Sequence, residues 1–151
     1  MNLKQEIQDY YSWWRRMNFL YHSWAEEHGV SPYTLFVLSA LTDCAGMDSK
    51  EGCTQKQICE EWFLPKQTVN SILKGLEQKG YLKSTASVKD GRRKLLFLTP
   101  QGEAYAFSII GELSDLEERV MEKMGEEGRA RMNQSAHLFC DLFEEEGKKK
   151  K

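Results

Sequence analysis

The stretch that decides the fold is LPKQTVNSILKGLEQKGYLKSTASVKDGRRKLLFLTPQG, residues Leu64 to Gly102. Its first part predicts a helix from about Lys66 to Lys79. Pro65 suits the start of a helix because its φ angle is preset, and Gly80 suits the position that follows a helix end. Because another short helix is predicted directly upstream, the two together indicate a helix-turn-helix.

The second part of this stretch predicts a β-hairpin. Asp90-Gly91 separates two segments of alternating apolar and polar residues, and both residues tolerate the positive φ angles of a tight turn. We expect one strand near Tyr81 to Ser87 and a second strand in KLLFL, which ends where Thr99-Pro100 begins another helix. A hairpin that follows a helix-turn-helix is the wing of a winged helix.

Three further helices are predicted on the N-terminal side. Apolar side chains recur every three or four residues between Leu3 and Trp24, which predicts a helix over residues 3–27. Ser31-Pro32 begins the next helix, whose nearly all-apolar sequence YTLFVLSALTDC predicts the central core helix. Thr54 with Gln57 forms a capping box at the start of the short helix QKQICEEWF.

The C-terminal third predicts two more helices, one from about Gln101 and one after Gly128. Apolar residues of the first recur at helical spacing from Tyr105 to Met124. The expected fold is mainly α with a small β-hairpin wing: a winged helix-turn-helix with helical extensions at its N- and C-terminal ends. Within one domain of residues 1–151, we assign 31–100 to the winged helix-turn-helix, 1–28 and 101–146 to the helical extensions, and 147–151 to a frayed tail.

Charge is distributed unevenly along the chain. The formal net charge is only -2, which by itself argues neither for nor against nucleic acid. Between Leu64 and Lys94, however, eight residues are basic and two are acidic, whereas the remainder holds 13 basic and 21 acidic residues. Such asymmetry predicts a basic binding surface on an acidic body.

Neither a membrane span nor a signal peptide is visible, so we expect a cytoplasmic protein that does not contact membranes. The four cysteines, Cys44, Cys53, Cys59 and Cys140, include no CxxC pair. In a cytosolic protein we expect them to remain reduced, structural thiols.

The predicted helix over residues 66–79 has two chemically distinct faces. Val69, Leu73 and Leu76, with Ile72 beside them, form the apolar face that must point inward. The opposite face bears amides, hydroxyls and amines without a carboxylate, which is the chemistry that pairs with base edges and phosphates. For base contacts we select Lys66, Gln67, Thr68, Asn70 and Ser71, and for a phosphate contact Lys74; Thr68 is only partly outward.

The motif LPKQTVNSILKGLEQKGYL followed by DGRRKLLFLTPQG resembles the MarR family of bacterial winged-helix transcription regulators. In that family the wing has an Asp, an Arg two residues later, a Leu-Thr pair and then a Gly. This sequence supplies Asp90, Arg92, Leu98, Thr99 and Gly102 in the same register. The resemblance covers nearly the whole chain. It implies that residues 31–100 are the DNA-binding lobe and that residues 1–28 and 101–146 form N- and C-terminal dimerisation helices.

The resemblance implies a homodimer that binds a pseudo-palindromic operator in double-stranded DNA. By this analogy Arg92 enters the minor groove, Asp90 braces it by a salt bridge, and Arg93 and Lys94 contact phosphates. A planar guanidinium suits a narrow minor groove better than an ammonium does. Many members of the family are repressors that a small-molecule effector releases from DNA.

Aromatic side chains crowd several sides of the predicted first helix, so more than one face needs cover. A second subunit is the usual cover for such a helix. The same side chains would also suit a flat, lipophilic effector, and we favour the dimer core over the effector pocket. The residues concerned are Tyr10, Tyr11, Trp13, Trp14, Tyr21 and Trp24.

An enzyme is the first competing class. His22 and Glu26 have the i, i+4 spacing of a metal-binding pair, with Glu27 and His28 close by, but no third ligand is placed by the sequence. His137 stands alone. Because there is no recognisable nucleophile turn and no phosphate-cradling loop, we expect no enzymatic activity, no cofactor and no metal.

Two other interpretations stay open. One is a winged helix that binds a protein instead of DNA, because fold alone does not decide function. The other is a redox- or metal-responsive variant of the same regulator, in which Cys44 or Cys140 would react. The carboxylate-free helix face and the local positive charge favour DNA over the first of these.

Overall fold

The computed structural model describes residues 2–46, 52–86 and 93–149. They form five helices and one two-stranded sheet, and none of the helices is long and apolar enough to cross a membrane. The chain divides into two compact units, Met1–Ile110 and Gly111–Lys151. In chain order the elements are α1 (Leu3–Glu27), α2 (Pro32–Gly46), α3 (Gln55–Glu61), α4 (Lys66–Gln78), β1 (Leu82–Ala86), β2 (Lys94–Leu98) and α5 (Pro100–Lys148).

Helix α2 is the centre of the first unit, as its apolar sequence predicts. Leu35, Val37 and Leu38 are at most 1% exposed, and the helix contacts α1, α3, α4 and β2. Its start is capped as expected, because the Ser31 hydroxyl oxygen accepts a hydrogen bond from the backbone N–H of Thr34 at 3.0 Å. The core of this unit is therefore assembled around one mostly buried helix, from which Tyr33 remains 48% exposed.

The wing sheet is antiparallel, with Leu82 opposite Leu98 and Ala86 opposite Lys94. The register places Leu82, Leu96 and Leu98 on the covered face, where all three are buried. The Asp90-Gly91 turn predicted between the strands lies outside the described residues. The strand bounds differ from the prediction near Tyr81 because that residue precedes the first sheet pair.

A third segment joins this sheet and was not predicted. Cys53, which directly precedes the capping box of α3, exchanges two backbone hydrogen bonds with Leu96, at 2.7 and 3.2 Å. The bridge fixes the start of α3 against β2. The capping box of α3 is confirmed, since Thr54 and Gln57 each bond the other's backbone N–H.

The turn between α3 and α4 begins earlier than predicted. Helix α3 ends at Glu61, whereas the sequence suggested that it continues to Phe63. Phe63 adopts a φ angle of 50°, and the backbone N–H of Leu64 donates to the Cys59 carbonyl at 3.1 Å. This is the left-handed closure that commonly terminates helices, so the chain turns before Pro65 is reached.

The second unit is the C-terminal part of α5, which bends at Gly125 (φ 70°, ψ 168°). The prediction that the break lies at Gly128 is wrong, because Gly125 adopts the left-handed backbone and Gly128 stays helical. Arg129 donates from Nη1 to the Met121 carbonyl at 2.8 Å across this bend. The last turn also continues to Lys148, beyond the expected bound of 146.

Ion pairs accompany the two additional helical residues at the C-terminus. Lys148 lies 3.7 Å from Glu144, and Lys149 lies 3.0 Å from Glu145, in both cases measured between the side-chain nitrogen and a carboxylate oxygen. Such i, i+4 pairs stabilise a helix slightly, and cations are favoured at a helix C-terminus. The segment predicted as a frayed tail therefore begins as helix.

Candidate nucleic-acid interface

Helix α4 is anchored by one apolar face. Val69, Leu73 and Leu76 are 0, 5 and 4% exposed, and Ile72 beside them is half-buried. The inward face predicted from the helical spacing is thus confirmed. With that face fixed against the core, the orientation of the opposite face is also fixed.

The outward face of α4 carries the residues selected from the sequence. Thr68 is half-buried, in keeping with its position at the edge of the face, and the others are exposed: Lys66, Gln67, Asn70, Ser71 and Lys74. Glu77 is the sole acid of this helix and lies in its last turn. The first turns therefore present donors and acceptors without any negative charge that would repel phosphate.

The start of α4 is held by its neighbour and left without a side-chain cap. Gln55 of α3 donates from Nε2 to the Lys66 carbonyl at 3.2 Å, which links the first turns of the two helices. The N-cap residue is Pro65, and no side chain caps the first turn. Uncapped N–H groups and the helix dipole at this end favour an anionic group such as phosphate.

The wing contributes cations near the start of β2. Arg93 and Lys94 are exposed, and Lys83 of β1 is exposed on the neighbouring strand. The positions of Asp90 and Arg92, predicted as brace and groove residue, lie outside the described residues. The base of the wing is tied to α4, since the Tyr81 N–H donates to the Leu76 carbonyl at 2.9 Å.

The aromatic residues of α1 form two groups. Tyr10 makes edge contacts with Tyr11 and Trp13, with ring centroids 5.3 and 5.2 Å apart. Trp24 stacks on His28 at 3.6 Å. Tyr11, Trp13 and Trp14 are exposed, whereas Tyr10, Tyr21 and Trp24 are half-buried. These side chains therefore leave a broad apolar surface on this chain.

The histidines, acids and cysteines considered above as possible metal ligands or nucleophiles do not come together in one site within the described part of the chain. No three His, Cys, Asp or Glu side chains there are close enough to hold a metal ion. Burial raises the pKa of the thiols of Cys44, Cys53 and Cys59, and the Lys66 ammonium partly offsets this for Cys59. Raised pKa values disfavour the reactive thiolate form of these three cysteines.

Sequence reasoning missed two residues of this surface. Gln55 was assigned only to the short helix, although an amide at a helix start can bond the next helix. Phe63 is predicted as the last residue of the short helix, although in the structure it follows α3, at a position where a left-handed residue is usual. It is 92% exposed beside the start of α4.

The first unit contains a winged helix-turn-helix. This motif consists of the core helix α2, the α3–α4 pair and the two paired strands. Residues 28–93, a little under half of the chain, match the model of the MarR family. The winged-helix segment is therefore similar to the MarR family, the family that the sequence motifs resemble. No curated protein matches the chain significantly.

Several solved structures share this fold over most of their length. A MarR family regulator from Neisseria meningitidis is 24% identical, with 100% of each chain covered and a TM-score of 0.80. MepR from S. aureus in complex with DNA is 20% identical over 88% of this chain and 97% of its own, with a TM-score of 0.73. BpsR from Bordetella bronchiseptica, whose DNA binding is regulated by 6-hydroxynicotinic acid, is 16% identical over 93% of this chain and 94% of its own, with a TM-score of 0.67. Likeness at these identities confirms the predicted fold class.

Proposed function

We propose that this protein is a sequence-specific DNA-binding transcription regulator without enzymatic activity that acts in the cytoplasm. The observation that carries the proposal is the exposed face of α4, which has amide, hydroxyl and amine groups and no carboxylate before Glu77. A helix that enters the major groove uses its N-terminal residues to contact base edges. Lys66, Gln67, Thr68, Asn70 and Ser71 take that role, and Lys74 contacts a phosphate.

The wing supplies the second part of the DNA contact. Arg92 occupies the minor groove with Asp90 as its brace, while Arg93 and Lys94 contact phosphates. The exposure of Arg93 and Lys94 and the similarity of residues 28–93 to the MarR family support this assignment. The DNA complex of the similarly folded MepR supports it further.

The functional unit in this proposal is a homodimer. Apolar side chains remain exposed on α1 and in the C-terminal part of α5, including Leu3 at 72% and Phe143 at 70%. Exposed apolar surface on this scale is typical of a protein interface. Two copies would present two α4 helices to a pseudo-palindromic operator in double-stranded DNA.

A substitution in α5 tests the dimer. Phe139, whose ring lies 5.9 Å from that of Phe143, is replaced in Phe139→Glu. We expect sedimentation at micromolar concentration to change from dimer to monomer, because a charge would have to be buried. Gln134→Glu adds the same charge about 140° around the helix and should leave the dimer intact. Equal sedimentation of both variants would reject this face as the interface.

We further propose repression that a small-molecule effector relieves. The regulation of BpsR by 6-hydroxynicotinic acid supports an effector of this kind. The aromatic residues of α1 offer either packing for the second subunit or contacts for a flat ligand. Effector binding would favour one spacing of the two α4 helices and so shift the population that binds operator.

The experiment that tests DNA binding uses a randomised duplex library. We expect the wild-type protein to enrich one pseudo-palindromic sequence, with log affinity falling linearly against log salt. Each phosphate contact contributes a slope of about 0.9, and a dimer makes each contact twice, so Arg92→Ala and Lys74→Ala should each lower the slope by about two per dimer. Lys123→Ala, an exposed cation of the second unit, is the control.

A winged helix that binds a protein is the alternative outcome of the same experiment. In that case no duplex would be enriched, and any weak DNA binding would not distinguish sequences. Loss of folding in Arg92→Ala would contradict a wing contact in particular.

A further inference from the structure

Phe63 combines two features that folding does not favour. It is 92% exposed, the largest fraction among large apolar side chains in the described residues. It is also the one non-glycine residue with a positive φ angle, 50°, within the same part of the chain. Glycine is the usual residue at this position after a helix, since a side chain makes the left-handed backbone unfavourable.

The position of Phe63 relates it to the DNA-contacting helix. Three peptide units separate it from Lys66, so their Cα atoms lie at most about 11 Å apart. Its backbone is held on both sides: the Trp62 N–H donates to the Ile58 carbonyl at 3.2 Å, and the Leu64 N–H donates to the Cys59 carbonyl at 3.1 Å. The ring therefore projects from a fixed turn beside the uncapped start of α4.

The way in which a helix-turn-helix docks on DNA determines which part of the DNA faces the Phe63 ring. The first helix of the pair crosses the sugar-phosphate backbone, and the second places its N-terminal residues against base edges. The turn between them is consequently at the edge of the major groove. There the C5-methyl group of thymine is the apolar feature of the base pairs, and Phe is among the side chains that contact it.

We propose that Phe63 is a specificity-determining residue that contacts a thymine methyl group in each operator half-site. This inference rests on the proposed DNA-binding function and adds an apolar contact to the polar face of α4. Duplex DNA is favoured over a protein partner because α4, which follows Phe63, exposes Lys66, Gln67 and Asn70. The exposed acids Glu60 and Glu61 precede Phe63, at the end of α3. A contact with DNA also accounts for an aromatic residue at a position where glycine would fold more readily.

Replacement of thymine by deoxyuridine tests the contact, because it removes the methyl group and keeps the base pair. The probe is the duplex that the wild-type protein enriches from the randomised library, with deoxyuridine placed at one symmetric pair of positions at a time. We expect wild type to lose about fourfold in affinity per half-site at one thymine, the effect of one buried methyl group. Phe63→Gly should bind the parent duplex about fourfold more weakly per half-site and lose nothing further at that thymine.

Two controls separate this contact from other roles. Lys74→Ala should weaken binding while it keeps the wild-type response to deoxyuridine. Phe63→Gly should melt at the same or a higher temperature than wild type, because glycine accepts the φ angle without strain. A lower melting temperature would show that the ring serves the fold and would overturn the proposal.

The remaining outcomes are decisive as well. If wild type responds to deoxyuridine at no position, or if Phe63→Gly keeps the wild-type response, Phe63 contacts no methyl group. If Gln67→Ala and Lys74→Ala impair binding but Phe63→Gly does not, this inference fails and the DNA-binding function stands. If wild type enriches no duplex, the DNA-binding function fails together with the inference.

Discussion

Gly102, in the first turn of α5, lies directly against the backbone of Tyr81, the residue that links α4 to the wing. A Cβ atom on Gly102 would be 1.8 Å from the Tyr81 carbonyl oxygen and 2.6 Å from its carbonyl carbon. The Tyr81 and Tyr105 rings stack 4.5 Å apart at the same junction. The Gly that follows Leu-Thr in the wing motif is therefore required by close packing of backbone on backbone.

Gly102→Ala should be strongly destabilising, because the added methyl group cannot fit unless α5 or the wing moves. We expect the free energy of unfolding to fall by about 3 kcal/mol, the upper range for overpacking. Urea denaturation monitored by circular dichroism measures this change. Gly75→Ala is the matched control, since its Cβ would meet no atom within 4 Å. It should raise stability by up to about 1 kcal/mol, as expected for Gly to Ala within a helix. Similar behaviour of the two variants would contradict the packing argument.

Thr99 joins the same three elements through its side chain. Its hydroxyl donates to the Gly80 carbonyl at 2.6 Å and accepts from the Gly102 N–H at 3.0 Å, while its own N–H donates to the Tyr81 carbonyl at 3.0 Å. Thr99→Val keeps the shape and removes both hydroxyl bonds, so it should cost about 2 kcal/mol. Thr99→Ser keeps both bonds and should cost clearly less. Thermal unfolding measures both variants, and a loss in Thr99→Ser with little or none in Thr99→Val would assign the effect to the methyl group instead.

Much of the fold could be predicted because its signals are local. The Thr54–Gln57 capping box, Pro65 and Gly80 each act within a few residues, and the structure places the helix ends at or near them. The bridge between Cys53 and Leu96 could not be predicted, since it joins distant segments and Cys53 has no local strand pattern. The bend posed a different difficulty, because Gly125 and Gly128 are both glycines and sequence alone does not show which one adopts positive φ.

The candidate site also contains some residues whose placement the sequence predicts and others whose placement it does not. Helical periodicity sufficed to assign the outward face of α4, because its apolar positions, Val69 and Leu73 among them, are fixed by the core. The exposed state of Phe63 could not be predicted, as an aromatic residue ordinarily suggests burial. Similarly, the spacing of Leu116 and Val120 predicts an apolar stripe but not its cover, and both are exposed on this chain, at 37 and 49%.

Cys53 should make stability depend on pH in the alkaline range. Its thiol is 1% exposed, and burial, followed by the neighbouring Cys44 side chain, raises its pKa above the ordinary value of 9.0. The unfolded thiol ionises above pH 9 while the folded thiol stays protonated, so stability is complete below that pH and decreases above it. The slope for one proton is at most about 1.4 kcal/mol per pH unit.

Urea unfolding between pH 8 and pH 10 measures this dependence. Cys53→Ala should be less stable at pH 8 because a buried group is lost, but its stability should decrease less steeply with pH. Tyr105, whose pKa is also raised by burial, contributes equally to both slopes, so their difference reports Cys53 together with the Cys44 thiol bonded to it. Identical slopes in the two proteins would show that the Cys53 thiol does not remain protonated in the folded state.

The division of labour on α4 predicts two different kinds of binding defect. Gln67 lies in the first turn, where an amide can bond a base edge, whereas Lys74 lies two turns later, where an amine contacts a phosphate. Gln67→Ala should weaken binding to the enriched duplex by about 1 to 3 kcal/mol and relax base preference at one position per half-site. Lys74→Ala should weaken binding to enriched and unrelated duplexes equally. Fluorescence anisotropy against duplexes with single base-pair changes distinguishes the two patterns. Uniform loss for Gln67→Ala across all duplexes would identify Gln67 as a backbone contact and remove it from the residues that determine sequence preference.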